Sequence, residues 1–205
     1  IGTSIKKDEY VCDCSDLDNI IVFRSDGKFL VTSVEDKTFV GKDIIHIAVW
    51  KKNDKHMVYN AIYNDGDTGI SYAKRFSVTS LIREREYDLT RGSEKSKIIY
   101  FTANPNSEAE IVKVNLHNSV KARIKEFDFD FGQLAIKGKA VRGNIVSKYL
   151  IRKVAQREVG ESTLGGRDIW LDENIGRLNA DRQGRYLGSF NTEDTIIAIY
   201  DDGSY

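Results

Sequence analysis

The chain has 205 residues, 40% hydrophobic and 30% charged, the proportions of a globular protein long enough to bury a sizeable core. Its 31 basic and 31 acidic side chains cancel, which argues against a generic basic nucleic-acid coat. No apolar run approaches the roughly 20 residues of a membrane span, and the N-terminus does not read as a signal peptide.

The first elements surround Asp26-Gly27. Ile20–Phe23 and Phe29–Val31 flank that dipeptide, a strong hairpin signal because glycine accepts the positive φ of a tight primed turn. Cys12 and Cys14 precede them as Cys-x-Cys on a predicted strand. Residues i and i+2 of a strand share a face without favouring a disulfide. His46, His56 and His117 are too scattered to complete a zinc site, so reduced thiols are expected.

Strand-like runs follow at Ile44–Trp50 and Met57–Tyr63, then the turn Asn64-Asp65-Gly66 and a strand carrying Lys74-Arg75. The polar loop Tyr87–Lys97 leads to Ile98–Ala103, the turn Asn104-Pro105-Asn106 and Glu110–Leu116. A loop rich in Lys and Arg gives way to Phe127–Phe131, where aromatic and acid alternate as on a strand with one buried face. Gly132–Arg142 and Ile145–Val154 flank a further turn at Arg142-Gly143-Asn144.

Turn glycines or their substitutes stand at 27, 66, 106, 143 and 184, a spacing near 40 residues, and Gly203 opens one more turn. No stretch shows convincing helical periodicity. The expected fold is all-β, a single domain over 1–205 built from four-stranded blades of about 40 residues around an axis. A blade cannot bury its own faces, so the unit must repeat. A β-sandwich is the rival architecture. The absence of an initiator Met and the stop just after a turn signal suggest a fragment of a longer chain.

Charge is unevenly spread. Between Ala135 and Gly160, Lys137, Lys139, Arg142, Lys148, Arg152, Lys153 and Arg157 face Glu158 alone. Aligned on their turns, the segments FLVTSV, YAKRFSV, IVKVNL and IVSKYL place Thr32, Lys74, Lys113 and Lys148 at one position. A band of cations on a curved surface suits contact with a duplex backbone, although solvent-facing lysines can also serve only to keep strand edges soluble. Three loops place Gly beside a cation: Gly41-Lys42-Asp43, Arg91-Gly92-Ser93-Glu94-Lys95 and Gly165-Gly166-Arg167-Asp168. None has the spacing of a nucleotide-binding fingerprint.

Taken together, DNIIVFRSDGKFLVT, YDLTRGSEKSKIIYFTANPNSEAEIVKV, AIKGKAVRGNIVSKYLIRKV and STLGGRDIWLDENIGRLNADRQGRYLGSF resemble the C-terminal domain of the A subunit of bacterial DNA topoisomerase IV, a relative of the gyrase A C-terminal domain. The resemblance implies a β-pinwheel, in which neighbouring blades exchange strands and a basic outer rim binds and bends duplex DNA in support of decatenation and relaxation. It makes Lys74, Arg75, Lys113, Lys148 and Arg152 the first candidates for DNA contact, with Arg91, Lys95 and Arg167 on adjacent loops. The family's Lys-Arg strand ending is kept only at Lys74-Arg75. The gyrase loop Gln-Arg-Arg-Gly-Gly-Lys-Gly has no intact copy, which favours bending over a strong supercoiling wrap.

On the same resemblance this fragment has no catalytic residues, metal or cofactor of its own. Cleavage belongs to the N-terminal part of the same polypeptide, and ATP and Mg²⁺ are handled through the separate ATPase subunit of the topoisomerase. Both are expected partners in a bacterial cytoplasm beside the nucleoid. Tyr59, Tyr63, Tyr72, Tyr100, Tyr149 and Tyr200 fall in predicted strands, and Trp50 and Trp170 read as core. Asp128 and Asp130 share a face but need no chemistry to explain them. The rival functions are a protein-interaction propeller and a propeller glycosidase with carboxylates converging on its channel.

Overall fold

The computed structural model describes residues 1–3, 9–91, 94–191, 194–200 and 202–204. Strands β1 (Asn19–Arg24), β2 (Lys28–Ser33) and β3 (Ile44–Trp50) come first, then β4 (Val58–Asn64), β5 (Ser71–Ser77), β6 (Tyr87–Asp88) and β7 (Lys97–Asn104). Next are β8 (Ile111–Leu116), β9 (Glu126–Asp130), β10 (Lys137–Gly138), β11 (Asn144–Ser147) and β12 (Ile151–Glu158). The series ends with β13 (Arg167–Asp172), β14 (Arg177–Asn179) and β15 (Arg185–Phe190). Among the described residues the only helical element is the 3-10 turn Phe131–Gln133.

Four sheets form, in the orders β3-β1-β2-β6, β10-β5-β4-β7 with β11 also against β5, β12-β8-β9, and β14-β13-β15. In each, an antiparallel hairpin receives the next strand of its own unit on its first strand. The outer edge of β2 is filled by β6, which follows the second hairpin in the chain, and that of β5 by β10 and β11, which follow the third. Each of the first two blades is thus closed by a strand lent from the next. This exchange is what defines a β-pinwheel.

Local chemistry explains the hairpins. Ser25–Gly27 join β1 to β2, Gly27 N–H donates to the Arg24 carbonyl at 3.0 Å, and Gly27 takes φ 86°. Asp26 Oδ1 accepts from the Lys28 amide at 3.0 Å. The connection is therefore a three-residue loop ending in a left-handed glycine, not the two-residue primed turn that Asp-Gly suggested. The hairpins begin at Asn19, Val58, Ile111 and Arg167, so the first unit is close to the expected length and the later ones are longer. Asn104-Pro105-Asn106 proves to lead from the end of β7 in the second sheet to β8 of the third, and Arg142-Gly143-Asn144 leads into β11 after β10. Insertion of the lent strands stretches the repeat and displaces those turn signals from the hairpins.

The core lies between blades. β4 is buried on both faces: Tyr59, Ala61 and Tyr63 pack with Ile21, Phe23, Phe29 and Val31 of the first sheet, while Ile62 packs with Val112, Val114, Leu116 and Phe131 of the third. Each such side chain is worth about 1.5–3 kcal/mol of burial, which neither sheet could gain alone. Trp50 joins this core and donates Nε1–H to the Val78 carbonyl at 2.8 Å. The outer face of the first sheet is covered by Val40 and Ile1. Among the described residues the fourth sheet supplies no fully buried hydrophobic side chain, and Trp170 is half-buried against Tyr186 at 5.1 Å.

Cys12 and Cys14 lie in exposed irregular chain, not on a strand, and are free. Tyr149 and Tyr200 also fall outside strands.

Candidate nucleic-acid interface

The first three hairpin turns point the same way, and the loops between sheets run from one turn to the next. Leu89 N–H donates to the Gly27 carbonyl and Ile98 N–H to that of Ser25, both at 2.8 Å. The Gly66 amide donates to Ser96 Oγ at 3.0 Å, so Leu89, Ser96 and Ile98 tie the first turn to the second. Ser71 Oγ donates to the Tyr149 carbonyl at 2.9 Å, Asn64 Nδ2 to that of Ile151 at 3.1 Å, and His117 N–H to that of Leu150 at 3.2 Å. Residues 147–151 thereby tie the second turn to the third. One continuous end of the molecule results.

Its charge changes along its length. At the first two turns Asp26, Asp65, Asp67, Asp88 and Glu94 stand among Lys28, Arg91, Lys95 and Lys97. At the third, residues 117–125 (HNSVKARIK) and 148–153 (KYLIRK) contain no acid. Lys121, Arg123, Lys125, Lys148, Arg152 and Lys153 are all exposed there. Among the described residues no carboxylate pairs with any of these six. Lys125 Nζ instead donates to the Asn118 carbonyl at 2.7 Å, which steadies the turn.

The residues singled out from sequence are distributed as follows. Lys148 and Arg152 belong to this basic end, and Arg91 and Lys95 lie exposed at its mixed portion with φ 66° and 61°. Gly92 and Ser93 of that loop lie outside the described residues. Lys113 sits on β8, half-buried, its Nζ 2.9 Å from Glu126. Arg167 lies at the opposite end of the sheets, 4.0 Å from Asp54 beside Trp50 and Pro105.

Lys74 and Arg75 correct the expectation of an exposed pair: each is 3% accessible. Lys74 Nζ donates to the carbonyls of Leu89 at 2.9 Å and Lys139 at 2.7 Å and lies 5.2 Å from the Phe76 ring centre. Burial pushes its pKa down to about 7, opposed by Asp88. Arg75 Nη2 donates to the Ser107 carbonyl and Thr163 Oγ1, both at 2.7 Å, and burial lowers its pKa too. The second sheet is covered on both faces, so no residue in the middle of β5 reaches solvent. Lys74 fastens the segments beside the lent strands, and Arg75 joins the β7–β8 link to the lead-in of β13.

Lys121, Arg123, Lys125 and Lys153 complete the basic end and are not among the candidates that sequence alone puts forward. The signals that find them are the acid-free run HNSVKARIK on a hairpin turn, for the first three, and the acid-free KYLIRK for Lys153. Asp128 and Asp130 form no acid pair: Asp128 meets Arg157, and Asp130 Oδ1 accepts from Gly132 N–H at 2.7 Å. Among the described residues no group of three or more His, Cys, Asp or Glu could hold a metal ion. Among them, too, no helix is long and apolar enough to cross a membrane.

Blades that lend strands to their neighbours, with a cationic end, define a β-pinwheel module. The family model for the topoisomerase C-terminal domain of Bacteroidota matches residues 1–158 and 177–205, and the chain belongs to that family. It is 30% identical over 105 residues to the A subunit of DNA topoisomerase 4 of Borreliella burgdorferi (strain ATCC 35210 / DSM 4680 / CIP 102532 / B31), a match taking in 51% of this chain and 16% of that protein. It is also similar to the crystal structure of the C-terminal domain of DNA topoisomerase IV. That match covers 83% of this chain and 58% of the other, at 12% identity and a TM-score of 0.48. The chain therefore spans a small part of its curated relative.

Proposed function

We propose that this domain binds duplex DNA through phosphate contacts on its basic hairpin-turn end, as the C-terminal module of the DNA-cleaving subunit of a topoisomerase IV. The observation that carries the reading is the acid-free cluster of Lys121, Arg123, Lys125, Lys148, Arg152 and Lys153 on two segments held side by side by the His117–Leu150 hydrogen bond. Flexible cations without carboxylate partners attract phosphate and read no base edge, so binding is sequence-independent, and bending of the bound duplex is part of the same proposal. In the full-length protein this grip presents DNA to the N-terminal cleavage part, with the partner ATPase subunit supplying ATP turnover and Mg²⁺ entering there, in support of decatenation and relaxation. That work belongs in the cytoplasm beside the chromosome.

The test is fluorescence anisotropy with a duplex several helical turns long. If all six cations engage phosphates, log affinity falls with log salt at a slope of about −5. No binding at low salt, or a flat salt response, overturns the reading and returns the protein-interaction propeller to first place.

A further inference from the structure

The end of the sheets opposite the hairpin turns holds a cleft of about 230 Å³ between the first two blades. Its walls are apolar and come from the ends of four strands. Trp50 closes β3, Met57 and Tyr59 open β4, Val78 follows β5 and Pro105 follows β7. The Trp50 indole is pinned by its bond to the Val78 carbonyl. The rim loop, residues 51–57, is tied down as well. Asn53 N–H donates to the Thr79 carbonyl at 2.9 Å, and Ser107 Oγ donates to that of His56 at 2.7 Å. Asp54 Oδ1 accepts from the His56 and Met57 amides at 2.9 and 3.2 Å. A cleft built this way loses little freedom on binding.

Two polar groups line this cleft without a hydrogen bond among the described residues. The Tyr59 ring is packed by Phe23, Phe76 and Phe101 at centre distances of 4.9, 5.6 and 5.7 Å, which leaves its hydroxyl end for the cleft. The residue is 2% accessible, so that hydroxyl is withheld from bulk water. The other group is the half-buried Arg167 guanidinium, whose carboxylate neighbour Asp54 stands 4.0 Å away. Around the mouth Lys51, Lys52 and Lys55 are exposed. Lys51 faces Asp181 at 3.5 Å, and among the described residues no carboxylate pairs with Lys52 or Lys55. These four cations outnumber Asp54 and Asp181, and the mouth is positive.

We infer that this cleft docks a partner protein, which inserts one phenylalanine or tyrosine side chain from an acidic segment. Size sets the first part. The volume falls below the roughly 300–1,000 Å³ of sites for drug-sized ligands, so it takes a single side chain and not a whole cofactor. The indole, the thioether and the proline ring offer an aromatic anchor the kind of pocket that dominates protein interfaces. Charge sets the second part, because acids flanking the anchor meet Arg167 and the rim lysines, which steer approach and fix orientation. Duplex DNA does not fit this description, since its bases are stacked and paired and none can enter. The inference stands apart from the DNA-binding reading, which uses the other end of the sheets.

The probe is the peptide acetyl-Glu-Asp-Phe-Asp-Glu-amide, titrated without DNA into the 205-residue chain. The readout is the NMR signal of the Trp50 indole N–H, one of two tryptophans in the chain. A saturable shift is expected, with a Kd of about 1 mM or tighter. Alanine in place of the peptide's phenylalanine should weaken binding at least about tenfold. Arg167→Gln, and separately Lys52→Gln with Lys55→Gln on the exposed rim, should each weaken it about two- to fivefold with the melt unchanged. No saturable shift overturns the inference and leaves the DNA-binding reading untouched. Equal affinity for the alanine peptide overturns it too, since charge alone would then hold the probe. So does affinity that neither rim variant alters, or displacement of the peptide by duplex DNA.

Discussion

Lys74 Nζ, on β5, donates to the Lys139 carbonyl 2.7 Å away across a gap of 65 positions, and thereby fastens the lent segment carrying β10 and β11 to the blade that borrows it. The same nitrogen holds the Leu89 carbonyl, just past β6, where the chain leaves the first sheet. A single ammonium sits where two strand exchanges cross.

Its burial gives a pH signature. A neutral amine still has two N–H groups for two carbonyls, and burial penalises only the charged form. The folded pKa, about 7, lies below the ordinary 10.5, so between these values the unfolded chain binds more protons and stability rises with pH. The groups facing Nζ are Asp88, which opposes the shift, and Arg91, which adds to it. Urea unfolding from pH 6.5 to 9 is expected to show a rise of up to about 1.4 kcal/mol per pH unit. Lys74→Met should flatten that component, and a rise of equal slope in the variant would show that another group drives it.

Arg75 is expected to tolerate lysine poorly. Its Nη2 spans the Ser107 carbonyl and Thr163 Oγ1, joining the β7–β8 crossover to the lead-in of the fourth sheet. A lysine ammonium cannot reproduce the reach of the planar guanidinium, and losing the charge-assisted bond to the buried Ser107 carbonyl is expected to cost about 1–3 kcal/mol. The midpoint of chemical unfolding reads this directly, and a change within error would deny the tie its structural weight.

Glu110 is a second buried knot. Fully inaccessible, it accepts from Asn60 Nδ2 at 2.9 Å, Tyr100 OH at 2.6 Å, Gln156 Nε2 at 3.0 Å and the Thr102 hydroxyl, groups drawn from β4, β7 and β12. Glu110→Ala strands these donors and is expected to cost about 3–5 kcal/mol. Glu110→Gln should do little better, because its NH₂ faces donors where acceptors are needed. Full stability in the glutamine variant would contradict this arrangement.

The sequence made the blades legible because turn chemistry is local: Asp26-Gly27 and the alternation from Phe127 to Phe131 speak for themselves. It hid which turns close hairpins, since β6, β10 and β11 are lent to neighbours and nothing in a short strand names its partner. For the same reason Lys74 and Arg75 read as surface cations. On one isolated sheet alternate residues would face water, but β5 is covered on both sides. Charge on Lys148 and Arg152 was legible because no blade packs over a turn.

The contrast between the two kinds of cation gives the sharpest test of the interface. Lys121→Glu with Arg123→Glu reverses charge on an exposed hairpin turn that no carboxylate pairs with. Replacing surface charges away from buried contacts changes stability by no more than about 0.5 kcal/mol, so the melt should stay put. Affinity for duplex DNA should fall at least tenfold, and the salt slope should lose about 0.9 for each phosphate contact removed. Lys74→Glu with Arg75→Glu should behave oppositely: two carboxylates would face the carbonyls of Leu89, Lys139 and Ser107, and the fold itself should fail. Normal DNA binding by the turn variant, with the melt unchanged, would remove the third hairpin turn from the DNA path and leave Lys148, Arg152 and Lys153, with Arg91 and Lys95, as the cations to test.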